Sequence, residues 1–426
     1  INPAYRGFEL EYALNKSGCK AIVAAESFKS SRYLEMLQRL APELDHCQPG
    51  QLRSEKLPAL STVIRMGEAR TPGMFNFADV CNKGEAQDLV RLAEVAQKLS
   101  PHDVINIQFT SGTTGNPKGA ALSHYNILNN ANQVAHGMRF TELDRLCIPV
   151  PMYHCFGMVL GKMACVTRGA TAVFPADAFE PGAVLEAVEA EKCTALHGVP
   201  TMFIAELEYP GFDRYDLSTL RTGIMAGAPC PVEVMKKVIS RMHMSEVLIA
   251  YGQTECSPVN HMTLADDPVE KRVETVGRAG PHLEVKLLDE QGRVVPIGER
   301  GDICTRGYAV MQGYWNDPER TAETVDSDGW LHSGDLGVMD QDGYVQVVGR
   351  LKDMIIRGGE NIYPREIEEF LFTHPKIQDA KVIGVPDEKF GEEVCAWVQL
   401  KEGESLDEDE IRAFCKDHIA YFKVPR

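Results

Sequence analysis

Hydrophobic positions along the chain alternate between helical and strand spacing. Apolar residues recur at helical intervals over 85–99 and stop at Ser100-Pro101, which predicts a helix and its end. A β-branched and aromatic run at 104–109 predicts a strand, and Ser123 is a predicted cap for a helix over about 124–135. A glycine-rich stretch separates this strand from the helix that follows it. The predicted order is therefore strand, loop, helix.

The same alternation continues through the middle of the chain. Residues 170–174 and 247–251 have the composition of strands, and 182–191 has that of a helix. Alternating elements favour a layered α/β fold. From Gly280 onward the pattern changes to strand pairs joined by turns such as 340–343, which predicts a β-rich subdomain.

The last part of the chain has its own pattern. Pro364 followed by acidic residues predicts a helix start, and strands are predicted at 377–385 and 393–400. The spacing of Ser405 and Glu408 predicts a capping box for a final helix. The predicted fold class is α/β: a large multi-subdomain α/β N-terminal domain with a β-rich subdomain, followed by a small α+β C-terminal domain.

Composition narrows the functional classes. The 426 residues include 61 Asp+Glu and 44 Lys+Arg, and the resulting net charge of −17 argues against a nucleic-acid groove. The 44% hydrophobic and 25% charged fractions are typical of globular chains. No uninterrupted apolar run reaches membrane-spanning length, and none of the cysteines forms C-x-x-C. We therefore expect small-molecule partners, no nucleic acid, no transmembrane segment, and a reducing compartment; a homo-oligomer stays open.

Both ends of the sequence look cut. The chain begins at Ile1 without an initiator Met and without the features of a signal peptide, and it stops abruptly at Arg426. The expectation is a fragment of a longer protein.

The strongest local motif is a decapeptide rich in hydroxyl groups and glycine. Its N–H and O–H groups can converge on phosphate oxygens, and its lysine adds positive charge. It is not a Walker A motif, because a proline replaces the second glycine and a glycine follows the lysine. By composition alone, a flexible surface loop is the alternative. The motif is Thr110-Ser111-Gly112-Thr113-Thr114-Gly115-Asn116-Pro117-Lys118-Gly119.

This decapeptide resembles the signature of the adenylate-forming superfamily, and further motifs follow in the order found in that family. They are Tyr251-Gly252-Gln253-Thr254-Glu255, Gly301-Asp302-Ile303-Cys304 continuing to Gly313-Tyr314, Ser333-Gly334-Asp335, Gly349-Arg350-Leu351-Lys352-Asp353 and the stretch from Gly358 to Glu368. Within the superfamily the chain is most similar to medium-chain fatty acyl-CoA synthetases, including a mitochondrial branch. The resemblance implies an AMP-forming fatty acid–CoA ligase that uses ATP, Mg²⁺ and coenzyme A, in the cytoplasm or the mitochondrial matrix.

The resemblance also implies roles for particular residues. The decapeptide would bind phosphates, Thr254 the α-phosphate and Glu255 the magnesium ion, whose preferred ligands are oxygens. Taken singly, such residues are more often a solvated acid, a turn or a core aromatic. The other implied roles are adenine binding by Gly227, Ala228, Pro229, Tyr251 and Gly252; ribose or phosphate binding by Asp335 and Arg350; and acyl binding by His154, Phe156, Gly157 and Gly198.

The family's small domain rotates between its two half-reactions. The resemblance implies a large domain over 1–349, a hinge at 350–352 centred on Lys352, and a small domain over 353–426. Gly358 and Gly359 would then approach the pantetheine arm of coenzyme A. The family's adenylation lysine lies in a Gly-Lys motif beyond the point equivalent to Arg426, so no residue of this sequence is assigned that role.

Three alternatives to a fatty acid–CoA ligase stay open. One is an acyl-AMP ligase that loads a carrier protein, and another is a luciferase-like oxygenase. The third is a non-catalytic nucleotide or acyl binder, if the chain truly ends at Arg426.

Overall fold

The computed structural model describes residues 1–110, 117–228, 230–351, 353–357, 360–387, 390–416 and 418–426, with the backbone alone at 360 and 361. The helices are α1 (Gly7–Ser17), α2 (Tyr33–Leu40), α3 (Phe77–Cys81), α4 (Ala86–Ala96), α5 (His124–Gly137), α6 (Ala164–Arg168), α7 (Pro181–Ala190), α8 (Pro200–Leu207), α9 (Val232–Arg241), α10 (Val269–Glu274), α11 (Pro318–Thr324), α12 (Pro364–Phe372) and α13 (Glu408–Cys415).

The strands of the N-terminal two thirds are β1 (Ala21–Ala24), β2 (Ser27–Phe28), β3 (Ser31–Arg32), β4 (Thr62–Arg65), β5 (Phe75–Asn76), β6 (Val104–Thr110), β7 (Lys118–Ser123), β8 (Arg145–Cys147), β9 (Thr171–Val173), β10 (Ala195–Leu196), β11 (Thr222–Ala226), β12 (Glu246–Gly252), β13 (Val259–Met262) and β14 (Arg278–Ala279). The later strands are β15 (Leu283–Leu288), β16 (Arg300–Gly307), β17 (Gly313–Tyr314), β18 (Leu331–Met339), β19 (Val345–Arg350), β20 (Ile355–Arg357), β21 (Glu360–Ile362), β22 (Ile377–Asp387) and β23 (Gly391–Leu400).

A seven-stranded sheet with the order β14-β13-β12-β11-β10-β8-β9 forms the centre of the large N-terminal part. Strands β9, β8, β10, β11 and β12 are parallel, and β13 and β14 are antiparallel additions. β11 and most of β12 are buried, as expected for parallel strands covered on both faces. The strands predicted at 170–174 and 247–251 and the helix predicted at 182–191 are confirmed as β9, β12 and α7.

The predicted order of strand, loop and helix around the decapeptide is wrong. A further strand, β7, follows the loop and pairs antiparallel with β6, with Thr110 opposite Lys118. β17 pairs with the other edge of β7. The alanine-rich sequence of β7 has weak strand propensity, so pairing on both edges decides its structure. Ser123 caps α5 as predicted, and its hydroxyl accepts a hydrogen bond from the Asn126 backbone.

The β-rich subdomain is an antiparallel sheet with the order β15-β16-β18-β19. The predicted turn joins β18 to β19, where the Asp340 carboxylate accepts hydrogen bonds from the backbone N–H groups of Asp342 and Tyr344. Here the structure agrees with the sequence, because Asp and Gly favour tight turns.

The smaller C-terminal part contains the sheet β21-β20-β23-β22, against which α12 packs. The strands predicted at 377–385 and 393–400 are confirmed. The predicted cap of the last helix is wrong, because Asp407 caps α13 and Glu410 completes the capping box. The predicted pair, Ser405 and Glu408, has the same three-residue spacing as the observed pair, Asp407 and Glu410, which lies two positions further along the chain.

The helix predicted at 85–99 forms as α4, and its side chains are exposed. Across the described residues, none of the helices is both long and apolar enough to span a bilayer.

Candidate active site

The described part of the decapeptide predicted to bind phosphates lies where β6 and β7 meet. Thr110 ends β6, and its hydroxyl lies 3.4 Å from the Lys118 backbone oxygen at the start of β7. The Pro117 carbonyl accepts a hydrogen bond from the Tyr12 hydroxyl at 3.1 Å. The rest of the predicted loop, Ser111, Gly112, Thr113, Thr114, Gly115 and Asn116, lies outside the described residues.

Tyr314 connects the lysine of this loop to the predicted magnesium ligand. Lys118 Nζ lies 2.8 Å from the Tyr314 hydroxyl oxygen, which is 2.6 Å from Glu255 Oε1. Burial and the Glu255 carboxylate raise the pKa of Tyr314, so the hydroxyl stays protonated and donates to Glu255. Sequence analysis missed this residue as a functional one, although its Gly313-Tyr314 motif was recognised. β17 brings the ring beside β7.

Glu255 has the surroundings of a cation ligand. Its side chain is buried, and it lies in the short helical turn Thr254–Cys256, which Gln253 separates from the end of β12. A buried carboxylate beside hydroxyl groups fits Mg²⁺, which takes oxygen ligands and is often held by one or two carboxylates plus substrate phosphate. Thr254, next to Glu255, forms a side-chain hydrogen bond with Cys155. Burial raises the pKa of the Cys155 thiol to about 12, although this hydrogen bond acts in the opposite direction.

Asp335 lies at the centre of a second cluster. Its Oδ2 accepts a hydrogen bond from the Tyr251 hydroxyl at 2.7 Å, and its Oδ1 lies 3.1 Å from Arg350 Nε. Asp335 is 9% exposed, and desolvation raises its pKa although Tyr251 and Arg350 oppose the shift. The sheet explains the grouping, because Asp335 on β18 is directly opposite Arg350 on β19.

A cavity of about 690 Å³ lies beside this cluster. Gly227 and Ala228 line it directly after β11, and Tyr251 and Gly252 line it at the end of the neighbouring parallel strand. Carboxyl ends of parallel strands are a common place for ligands in α/β folds. Residues of the C-terminal part, including those at 381–384, also line the cavity. Predicted residues Pro229, Lys352, Gly358 and Gly359 lie outside the described residues.

The predicted acyl-binding residues lie around a π-helix, Phe156–Met163. Gly157 is required there, since a Cβ would come within 2.3 Å of the Pro151 carbonyl oxygen. A Cβ on Gly198 would come within 2.9 Å of the Phe203 ring. His154 is exposed, but the protein around its ring desolvates it enough to lower its pKa and favour the neutral form.

His197 is a second residue that the sequence did not single out. Its ring contacts Phe156 at 5.4 Å between centroids, and its Nε2 lies 3.0 Å from the Leu160 carbonyl oxygen. On the other side, its Nδ1 accepts a hydrogen bond from the Ile224 backbone at 3.1 Å. This buried imidazole therefore joins the π-helix to β11. Its only sequence signal is its place beside Gly198.

The structure thus brings the described candidates into three neighbouring groups: Lys118 with Glu255, Tyr251 with Asp335 and Arg350, and the residues around the π-helix. Most of these residues lie in segments that match known protein families. Residues 1–315 match the family described as AMP-binding enzyme, and residues 366–426 match the AMP-binding enzyme C-terminal domain. The chain belongs to the AMP-binding enzyme family.

Relatives in this family cover the whole chain. The Bacillus subtilis (strain 168) protein YngI is 53% identical over 427 residues, covering 100% of this chain and 78% of that protein. The medium-chain acyl-CoA ligase ACSF2, mitochondrial, of Bos taurus is 47% identical, with coverage of 100% and 70%. The protein is accordingly an AMP-forming acyl-CoA ligase that uses ATP and coenzyme A and acts through an acyl-adenylate.

Solved structures of AMP-binding enzymes share the fold over the full chain. ATP-bound MatB from Rhodopseudomonas palustris has a TM-score of 0.83 at 30% identity, covering 100% of this chain and 78% of that one. The anthranilate CoA ligase AuaEII in complex with anthranoyl-AMP has a TM-score of 0.85 at 25% identity, with coverage of 100% and 77%. The predicted fold class is confirmed: a large α/β N-terminal part and a smaller C-terminal one.

Proposed function

We propose that this AMP-binding enzyme activates medium-chain fatty acids, with adenosine bound in the 690 Å³ cavity. The observation that carries the proposal is the buried Asp335 carboxylate, held between Tyr251 and Arg350 at the cavity wall. An ionised carboxylate accepts hydrogen bonds and suits the two ribose hydroxyls. The Tyr251 ring offers an aromatic face to adenine, opposite the thin backbone of Gly227 and Ala228.

The phosphates would lie between the decapeptide and Glu255. Lys118 supplies positive charge, Thr254 a hydroxyl donor, and Glu255 would hold a magnesium ion. When bound, Mg²⁺ stabilises negative charge that develops on the phosphates. The Tyr314 hydroxyl holds Lys118 and Glu255 at fixed separation, so the donors around the α-phosphate are in place before the carboxylate attacks.

The acyl chain would lie along the π-helix. Phe156, Met158 and Val199 provide apolar surface there, and His154 stands at the exposed end. Each buried methylene contributes about 0.8 kcal/mol until the pocket ends, so kcat/KM should rise about fourfold per methylene over that range. The names of the ACSF2 relatives support medium-chain acids as the preferred class.

The thioester-forming step would follow a rotation of the C-terminal part. The proposed hinge is 350–352 with Lys352 as pivot, which divides the chain into domains over 1–349 and 353–426. Gly358 and Gly359 would then lie along the pantetheine arm of coenzyme A, since glycine permits close approach of the backbone.

The experiment is a steady-state assay of the full-length protein with saturated fatty acids from acetate to palmitate. Pyrophosphate, AMP and acyl-CoA should form in equal amounts, with the highest kcat/KM at medium chain length. Glu255→Gln should abolish most of the rate, and Glu233→Gln, on the exposed face of α9, is the matched control. ADP as the nucleotide product, or the highest kcat/KM for acetate or an amino acid, would contradict the proposal. Activity with a holo carrier protein but not with coenzyme A would assign the chain to carrier loading.

A further inference from the structure

Asp302 occupies an unusual position in the β-rich sheet. On β16 it pairs with Leu336, and the next ladder pair on that strand joins Cys304 to His332. Between these pairs β16 has one residue and β18 has three, Ser333, Gly334 and Asp335, so β18 bulges outward. A bulge interrupts the ladder hydrogen bonds and re-aims the side chains that it contains.

The Asp302 carboxylate replaces the lost ladder contact. Its Oδ1 accepts a hydrogen bond from the Gly334 backbone N–H at 2.9 Å, and the Ser333 hydroxyl lies 3.5 Å from the same oxygen. That hydroxyl also accepts a hydrogen bond from the Asp335 N–H at 3.0 Å. Gly334 has a φ of +71°, a left-handed conformation that strongly favours glycine. The side chain of Asp302 therefore holds the backbone that carries Asp335.

The other carboxylate oxygen of Asp302 is anchored as well. Asp302 Oδ2 lies 3.2 Å from His332 Nδ1 and 3.6 Å from Cys304 Sγ. His332 Nε2 is in turn 3.5 Å from Asp326 Oδ2. With donors on both oxygens, the carboxylate cannot rotate freely, so the position of Gly334 is well defined.

We infer that Asp302 is a positioning residue for nucleotide recognition: it sets the bulge that turns the Asp335 carboxylate toward Tyr251 and the ribose. The inference rests on the proposed ribose-binding role of Asp335. Asp302 does not support Asp335 through its charge, because a negative Asp302 disfavours ionisation of the nearby Asp335 carboxyl. Asp302 acts by fixing the backbone of the bulge at Gly334, which requires a hydrogen-bond acceptor at Oδ1 and not a negative charge.

The test is the preference for ATP over 2′,3′-dideoxy-ATP, measured as a ratio of kcat/KM values in the full-length protein. Asp302→Ala should lower this ratio about tenfold, because hydrogen bonds from the ribose to a displaced carboxylate are lost. KM for the fatty acid should not change. Asp302→Asn keeps the acceptor for Gly334 and should retain the preference. Asp289→Ala is the matched control, since Asp289 also accepts backbone hydrogen bonds in a turn of this sheet but does not line the cavity.

The outcomes distinguish the positioning role of Asp302 from the proposed ribose-binding role of Asp335. If Asp335→Ala retains the preference, the proposed ribose site is wrong. If Asp335→Ala loses it and folded Asp302→Ala keeps it, only the positioning role is wrong. Asp302→Thr, whose side chain is too short to reach the bulge, serves if the alanine variant does not fold.

The same cluster could instead owe its geometry to a metal ion. Among the described residues, Asp302, Cys304 and His332 form a group of potential metal ligands. A wild-type preference that falls on chelation and returns with Zn²⁺ would overturn the positioning role. The expected result is a preference that chelation leaves unchanged when Mg²⁺ is restored.

Discussion

The Tyr314 hydroxyl is the shared contact of Lys118 and Glu255, so its removal should disturb both. Tyr314→Phe keeps the ring beneath the lysine, where Nζ lies 4.3 Å from the ring centroid, and removes only the bridging oxygen. A hydrogen bond to a charged group contributes about 1.5–3 kcal/mol, so kcat/KM for ATP should fall about tenfold to a hundredfold.

The readout that assigns this loss to the site is magnesium dependence. The Mg²⁺ concentration for half-maximal activity should rise in Tyr314→Phe, because Glu255 loses the donor that orients its carboxylate. Tyr215→Phe, a matched change outside the site, should leave both quantities unchanged. Unaltered ATP kinetics in a folded Tyr314→Phe enzyme would exclude the bridging role.

At the scale of elements, His197 links the π-helix to β11 by two hydrogen bonds that need the neutral ring. Burial lowers its pKa from 6.5 to about 4. The pKa of this ring is lower in the folded protein than in the unfolded chain. The stability that the neutral ring contributes is therefore fully present above about pH 6.5 and is lost as pH falls toward about 4. The loss attributable to this group is about 3 kcal/mol.

Replacing the ring tests this linkage. His197→Phe should lower the free energy of unfolding at neutral pH by about 1–3 kcal/mol, since the Leu160 carbonyl and the Ile224 N–H lose their partner. Its difference from wild type should narrow as pH falls from about 6.5 to about 4, as measured by denaturant unfolding. His261, whose pKa burial also lowers to about 4, titrates in both proteins and cancels in the difference. A difference that is constant over this range would contradict the assignment.

At the scale of the whole molecule, the cavity has walls from both the N-terminal and the C-terminal parts. Arg300 lies over the Tyr363 ring at 4.0 Å, and Gln378 donates a hydrogen bond to Glu208 at 3.1 Å, so the two parts are in contact. A ligand in this cavity should therefore stabilise them together.

A non-hydrolysable acyl-adenylate analogue at a hundredfold excess over its Kd should add about 2.7 kcal/mol to the stability. Hydrogen exchange should slow both at 227–228 and at 381–384, because both segments line the cavity. Protection confined to the N-terminal segment would show that the ligand does not engage the C-terminal part. Asp335→Ala, which removes the proposed ribose acceptor, should weaken both effects.

Local chemistry determined much of this protein from its sequence alone. Hydrophobic spacing predicted β12, α7 and the C-terminal strands, and turn and cap residues predicted the 340–343 turn and the Ser123 cap, because these depend on nearby residues. The ordered motifs identified the family, and they named most residues of the proposed site, including Glu255, Tyr251 and Asp335. Motifs are informative here because the chemistry of nucleotide binding restricts which residue types can serve.

Only the tertiary structure decided the rest. β7 is a strand because β6 and β17 pair with both of its edges, and its own alanine-rich sequence gives little sign of this. Tyr314, His197 and Asp302 contact residues that are 59, 27 and 32 positions away. Asp302 and Tyr314 lie within recognised motifs, but no local pattern shows which distant residue each of the three contacts. Contacts of this kind exist only after the sheets assemble. For that reason the sequence identified the groups proposed to touch the substrate, and the fold revealed the groups that hold them in place.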